Sequence, residues 1–155
     1  MSTLRVDSLQ GQTAGTDRYV VQVVNSSSSA DTSVTTTTYT DIGLSASITP
    51  SSTNNKILIM THVTSMAKFG GDTSLAAQLL RDSTSVIVFE GLAGDSGGTG
   101  SNASGGTGTT FLDSPATTSS VTYKVQIKNN VGAGTVRVHQ SNASTSTITL
   151  MEIAQ

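Results

Sequence analysis

Residues 121–128 alternate strictly between apolar side chains, Val121, Tyr123, Val125 and Ile127, and polar ones, Thr122, Lys124, Gln126 and Lys128. A period of two marks a strand with one face buried and the other wetted, because successive side chains leave an extended backbone on opposite sides. The pattern recurs along the chain. In residues 56–68, Ile57, Ile59 and Val63 share one face, and Leu58, Met60 and His62 the other. Residues 147–153 read as a last strand with apolar residues on both faces, suited to a central place in a sheet or beneath a partner chain. Residues 19–24, 34–39, 44–48, 75–81 and 85–90 are further strands, and Thr110-Phe111-Leu112 a short one. Arg81-Asp82-Ser83-Thr84 reads as a hairpin turn. The turn-rich link 129–134 makes a second hairpin of residues 121–128 and 136–138. No stretch sustains a helical period. Eight to ten short strands with turn signals between them predict an all-β antiparallel sandwich, a jelly roll.

Composition narrows the function. Of 155 residues, 24 are Ser and 26 Thr, while charged residues make up 12% and the net charge is −2. Eight scattered Lys and Arg do not build the concentrated basic face that nucleic acid requires. No apolar run approaches the ~18 residues that cross a bilayer, and no apolar segment of the secretory kind follows Met1. Neither nucleic-acid binding nor membrane insertion is therefore expected. With no Cys there are no disulfides, thiolate chemistry or Cys-based metal sites.

Two segments lack the strand pattern. Residues 1–18 hold Leu4, Val6 and Leu9 among polar neighbours, too few to build a core, and read as an extended N-terminal arm that docks on something else. Residues 19–155 form the β domain. Residues 91–109 contain eight Gly and almost no apolar side chain, and read as a long exposed loop.

Little in the chain can carry catalysis. Gly94-Asp95-Ser96-Gly97-Gly98 spells the string around the nucleophile of chymotrypsin-like proteases, with His62 as base and Asp72 or Asp82 as orienter. That fold places its His and Ser in different barrels, and 33 residues between His62 and Ser96 leave room for about two hairpins. The string reads as loop sequence and the chain as no enzyme. His62 and His139 stand in separate strands without a second ligand at a metal spacing, and read as surface or interface residues. Asp72, Asp82, Glu90 and Asp95 are turn formers rather than a glycosidase pair. No cofactor is expected. Among the aromatic residues, Tyr123 is placed inside by its parity, and Phe69 and Phe111 are the two positioned for a ligand.

Several blocks resemble a known group of proteins. The opening Met1-Ser2-Thr3-Leu4-Arg5-Val6-Asp7-Ser8-Leu9-Gln10 resembles the start of tail-fibre and virion appendage proteins of marine bacteriophages, cyanophages included. Residues 44–60, containing Thr49-Pro50-Ser51-Ser52, are similar to a recurring unit of the same proteins. So are Leu80-Arg81-Asp82-Ser83-Thr84, Leu112-Asp113-Ser114-Pro115-Ala116 and the ending Ile148-Thr149-Leu150-Met151-Glu152-Ile153. The resemblance implies a jelly roll like the trimeric heads of the complement and tumour-necrosis-factor type, with C-terminal strands packed near a threefold axis. It carries no motif of functional residues.

The expected protein is thus a virion component assembled in the host cytoplasm, a homotrimeric fibre head or appendage. Capsid decoration and a glycan-binding module are the alternatives. Leu4, Val6 and Leu9 would attach it to other virion proteins, and Leu150, Met151 and Ile153 would line the trimer interface. Phe69, Asp95, Ser96 and Asn102 are the candidate contacts to a host surface glycan or protein. A chain with few charges and many strand edges must avoid uncontrolled edge pairing, and closed symmetric assembly is one way to do so.

Overall fold

The computed structural model describes residues 18–70, 72–95, 102–139 and 144–155. Ten strands follow in order: β1 (Val20–Ser28), β2 (Thr32–Val34), β3 (Thr40–Ile48), β4 (Lys56–Phe69), β5 (Leu75–Arg81), β6 (Thr84–Ala93), β7 (Ala103–Asp113), β8 (Val121–Asn129), β9 (Thr135–Val138) and β10 (Ser146–Ile153). They build two antiparallel sheets. One is ordered β3-β8-β5-β6. In the other, β1-β10-β4-β9-β2 form a path and β7 pairs with the far edge of β4. From β3 to β8 the chain changes sheet at every connection except the β5–β6 hairpin, and this crossing makes the sandwich a jelly roll.

The spine of the larger sheet is β4. Its edge toward β10 is paired over residues 56–62, and the same edge is taken up by β9 over residues 67–69. Its opposite edge is paired with β7 from Ile57 to Lys68. Between the sheets lies one apolar cluster. Ile57, Ile59, Val63, Val136, Val138, Ile148 and Leu150 come from one sheet, and Ile42, Leu44, Ile48, Leu75, Leu79, Tyr123, Val125 and Ile127 from the other. These are the inward members of the alternating runs, so the periodicity of the sequence is the core. Tyr123 is fully buried, as its parity indicates, and its hydroxyl donates to Asp113 Oδ2 at 2.7 Å, an atom Arg81 also holds. Burial and that bond to a carboxylate raise the phenol's pKa.

Three expected elements differ. Residues 121–128 and 136–138 do not form a hairpin: β8 lies in the four-stranded sheet and β9 in the other. The buried Asn129 side chain shapes the link, accepting from the backbone of Val131 and Gly132 and donating to the Ala133 carbonyl at 3.1 Å. The second half of the expected loop 91–109 is strand, because β7 begins at Ala103. Its glycines and threonines supply no apolar alternation, yet its backbone completes the ladder of β4. The strand expected over residues 34–39 shrinks to β2, which ends at Val34.

Candidate functional site

The strand register aligns side chains in rows across the outer face of the larger sheet. Val23 stands opposite Met151, Met151 opposite Leu58, and Leu58 opposite Leu112. This unbroken apolar row crosses β1, β10, β4 and β7, with Val23 56% and Leu112 49% exposed. The row toward the chain ends continues it: Val20 pairs with Ile153, and Ile153 with Lys56. In the other direction Asn25, Thr149, Met60 and Thr110 form a row, followed by Ser27, Thr147, His62 and Gly108. Met60, His62, Thr110, Thr147 and Thr149 line a shallow depression of about 340 Å³ there. Lys56 and His62 are the ionisable side chains in these rows, and no acid lies in them.

The outer face of the other sheet is built differently. Asp41 accepts from Lys124 Nζ at 3.0 Å and from Gln126 Nε2 at 2.8 Å. Ser47 and Thr122 share a hydrogen bond of 2.7 Å, and Lys128 lies 5.0 Å from the ring centre of Tyr39. Over β3 and β8 such a face is satisfied in water, and on its edge strand β6 Val88 is exposed. The first one leaves apolar area uncovered.

Of the three residues expected at a trimer interface, Leu150 is corrected. It is fully buried in the chain's own core, since alternation within β10 turns Ile148, Leu150 and Glu152 inward. Met151 and Ile153 point outward into the apolar rows. Val23, Leu58 and Leu112 were missed by the sequence reading. Their signal, apolar residues on the outward parity of strands, is present in the sequence, but register is needed to join them.

The two poles of the sandwich differ as well. At the pole where β1 begins and β10 ends, the fully buried Glu152 carboxylate receives four hydrogen bonds. They come from Gln22 Nε2 (2.6 Å), the Ser51 backbone N–H and hydroxyl (both 2.7 Å) and Asn55 Nδ2 (2.6 Å). Burial alone would raise its pKa, but these donors outweigh burial and bring it down to about 2. At the opposite pole, Phe69 and Asn102 come together. Asn102 Oδ1 accepts the Gly70 N–H at 3.1 Å, and both residues line a depression of about 180 Å³ with Ala103 and Ser104. The Arg137 guanidinium, paired with Asp31, lies 5.9 Å from the centre of the Phe69 ring. Phe111 packs instead against the core. Asp95 is exposed, and its N–H donates to the Leu92 carbonyl at 3.0 Å where β6 ends. Leu4, Val6, Leu9 and Ser96 lie outside the described residues.

His62 is exposed on the apolar side of the sandwich, whereas His139, expected at a surface or interface, is fully buried. Its Nδ1 lies 2.9 Å from the Ala30 carbonyl, which can only accept, so Nδ1 carries the proton. Nε2 then accepts from the Ser146 hydroxyl at 2.5 Å. The pair has the chemistry of a base and a nucleophile, but both residues have no exposure and no substrate can reach them. Asp82 sits in the β5–β6 turn and accepts the Thr122 N–H at 2.9 Å. Among the described residues no three His, Asp or Glu side chains stand close enough to share a metal ion, and no helix is long and apolar enough to cross a membrane.

No protein-family model and no curated protein matches the chain. Among solved structures, it is similar to the infectious bursal disease virus VP2 subviral particle, with a TM-score of 0.42 and 11% identity over 97% of this chain. The structures of the Gt and Gx strains of that virus give TM-scores of 0.37 and 0.36 with 12% and 14% identity, again over 97% of this chain. The chain spans less than half the length of each, between 42% and 44%. The topology given above stands on strand pairing alone.

Proposed function

We propose that the chain is a non-enzymatic structural protein of a bacteriophage virion, a jelly-roll body that assembles as a homotrimer through the outer face of its larger sheet. The observation that carries this reading is the contrast between the two outer faces. One is covered by charge pairs and hydroxyls over β3 and β8, with Val88 exposed on its edge strand β6, and the other presents the continuous row Val23, Met151, Leu58, Leu112 across four strands. A contiguous apolar face of this kind marks a contact surface. The resemblance of residues 1–10 and 44–60 to phage appendage proteins supports a fibre head or appendage, with the arm carrying Leu4, Val6 and Leu9 attached to other virion proteins. Decoration of a capsid uses the same body at another place on the particle.

Size-exclusion chromatography with light scattering tests the assembly. Three chains are expected for the wild type. Met151→Glu combined with Leu58→Glu should give a folded monomer, because both changes point outward and leave the core untouched. A wild type that stays monomeric at micromolar concentration overturns the reading. Deleting residues 2–10 should leave the strand signal in circular dichroism unchanged and abolish incorporation into particles.

The meeting of Phe69 and Asn102 favours a second role, contact with a host surface glycan or protein at that pole. Adsorption to host cells that survives Phe69→Ala would exclude it.

A further inference from the structure

Alternation along β4 turns Ile57, Ile59 and Val63 inward, where they have no exposure, and leaves His62 exposed on the outer face of the larger sheet. Its neighbours across the ladder are Thr147 of β10 and Gly108 of β7. The imidazole lies over the glycines of β7. A Cβ at Gly108 would stand 3.3 Å from the ring's Cδ2 and 2.6 Å from the Thr61 carbonyl oxygen, and one at Gly106 would stand 3.7 Å from Nε2. The ring thus takes the space that outward side chains of β7 would fill. Among the described residues neither ring nitrogen has a hydrogen-bond partner.

The charged groups around this imidazole are few. Asn25 and Ser27 of β1, Thr147 and Thr149 of β10 and Thr110 of β7 share its side of the sheet and carry no charge. On β4 itself, Lys56 stands at the far end of the same face, ~20 Å along the strand. After His62 the pairing with β7 slips between Val63 and Met66, parity inverts, and Lys68 turns inward with no exposure. The acids of the neighbouring strands are committed elsewhere. Glu152 of β10 is fully buried among its donors, Asp113 of β7 holds Arg81 and Tyr123, and Asp31 is paired with Arg137 of β9. In a homotrimer every copy contributes the same face, so an acid missing from one is missing from all. Contact through this face therefore gathers three His62 and three Lys56 side chains with no acid to pair them. A neutral imidazole is tolerated there, whereas an imidazolium adds an unpaired like charge.

We infer that His62 makes the assembly acid-sensitive: trimers form while its imidazole is neutral and come apart when it is protonated. The inference rests on the proposed assembly through this face and names what regulates it. A histidine side chain changes charge between about pH 8 and 5. Each proton that the free chain binds and the trimer excludes weakens association tenfold per pH unit. Three per trimer set a limit of about a thousandfold per unit in the association constant, or about thirtyfold in the concentration at which half the chains are assembled.

The test is sedimentation velocity of the full chain over a dilution series at about pH 8 and about pH 5, with circular dichroism as the control for folding. For the wild type the half-assembly concentration should rise about tenfold or more on acidification, with the strand signal unchanged. In His62→Gln the rise should shrink below about threefold, whatever the affinity at the higher pH. Thr147→Glu sets a carboxylate opposite His62 and should reverse the direction, assembly then improving from about pH 8 to about pH 6. It keeps the test decisive if His62→Gln does not fold. The inference is overturned, and the assembly reading kept, if wild-type trimers are equally stable at both pH values, if His62→Gln retains the full rise, or if Thr147→Glu responds to acid as the wild type does. Loss of the strand signal at the lower pH would place the response in the fold and overturn it too. A wild type that is monomeric even at the higher pH overturns the assembly itself, and this inference with it.

Discussion

Replacing Glu152 by glutamine removes one charge from the pole where the chain's first and last strands lie together, and changes almost nothing in shape. Oε2 of the carboxylate accepts from Gln22, and Oε1 accepts from Ser51 twice and from Asn55. A carboxamide has one acceptor and one donor end, so in either orientation an N–H₂ faces a donor. Gln22 cannot turn to help, because its Nε2 also donates to the Thr49 carbonyl at 2.8 Å. The size of the effect follows from the proton affinity. The four donors bring the pKa from 4.5 to about 2, and at ~1.4 kcal/mol per tenfold change in affinity this amounts to ~3 kcal/mol. Its sign follows from linkage: a carboxyl whose folded pKa is depressed stabilises the fold above its unfolded value. The contribution is complete above about pH 5, shrinks as the pH falls from 4.5, and is lost on passing through about 2. Urea unfolding at fixed protein concentration measures it. At pH 7 the variant should unfold at a lower midpoint with the slope unchanged, a loss of ~3 kcal/mol. The gap to the wild type should close as the pH approaches 2. A loss below ~0.5 kcal/mol at neutral pH, or a gap that stays constant down to pH 2, would refute the account.

Two further substitutions probe the links between strands. Gly134→Ala should destabilise by ~2–4 kcal/mol in the same assay, since its φ is 64° and a Cβ would press on the carbonyl oxygens of Gly70 and Phe69, the latter at 2.6 Å. A change below ~1 kcal/mol would show that these carbonyls yield easily. Asn129→Ala should cost ~3 kcal/mol, because the buried carboxamide bonds Thr73, Val131, Gly132 and Ala133 at once. Faster hydrogen exchange should then appear at Val131 and Gly132, and unchanged exchange there would count against the role given to Asn129.

Much of this fold can be read from β8 and β4 alone. Strict alternation in β8 places Val121, Tyr123, Val125 and Ile127 inside, and nothing competes with that pattern. The link after Asn129 could not be read the same way. A turn back into a hairpin and a crossing to the other sheet use the same Asn and Gly residues, and the difference lies in contacts with Thr73 and Thr36, far away in sequence. Strand β7 was hidden because Gly106 and Gly108 give its outward parity no side chain, while Thr107 and Thr109 occupy the inward one. The inward turn of Lys68 was hidden for a different reason: one slip of register at Thr64 and Ser65 inverts every residue after it, and no residue type announces the slip. Met151 and Ile153 could be placed on the outer face from alternation. Glu152 could not be recognised as a buried anchor, because its partners at 22, 51 and 55 belong to other strands and loops.

The length of β4 separates the two poles. Its 14 residues span ~45 Å, with Lys56 beside Ile153 at one tip and Phe69 beside Thr135 at the other. Tyr19, whose carbonyl accepts the Ala154 N–H at 3.0 Å, and the end of β10 therefore both lie at the pole that Glu152 holds together. A tether pulling there loads the carboxylate and its four donors first. The Phe69 pole lies a full strand length away, and a body tethered at the Glu152 pole would swing it through the widest arc.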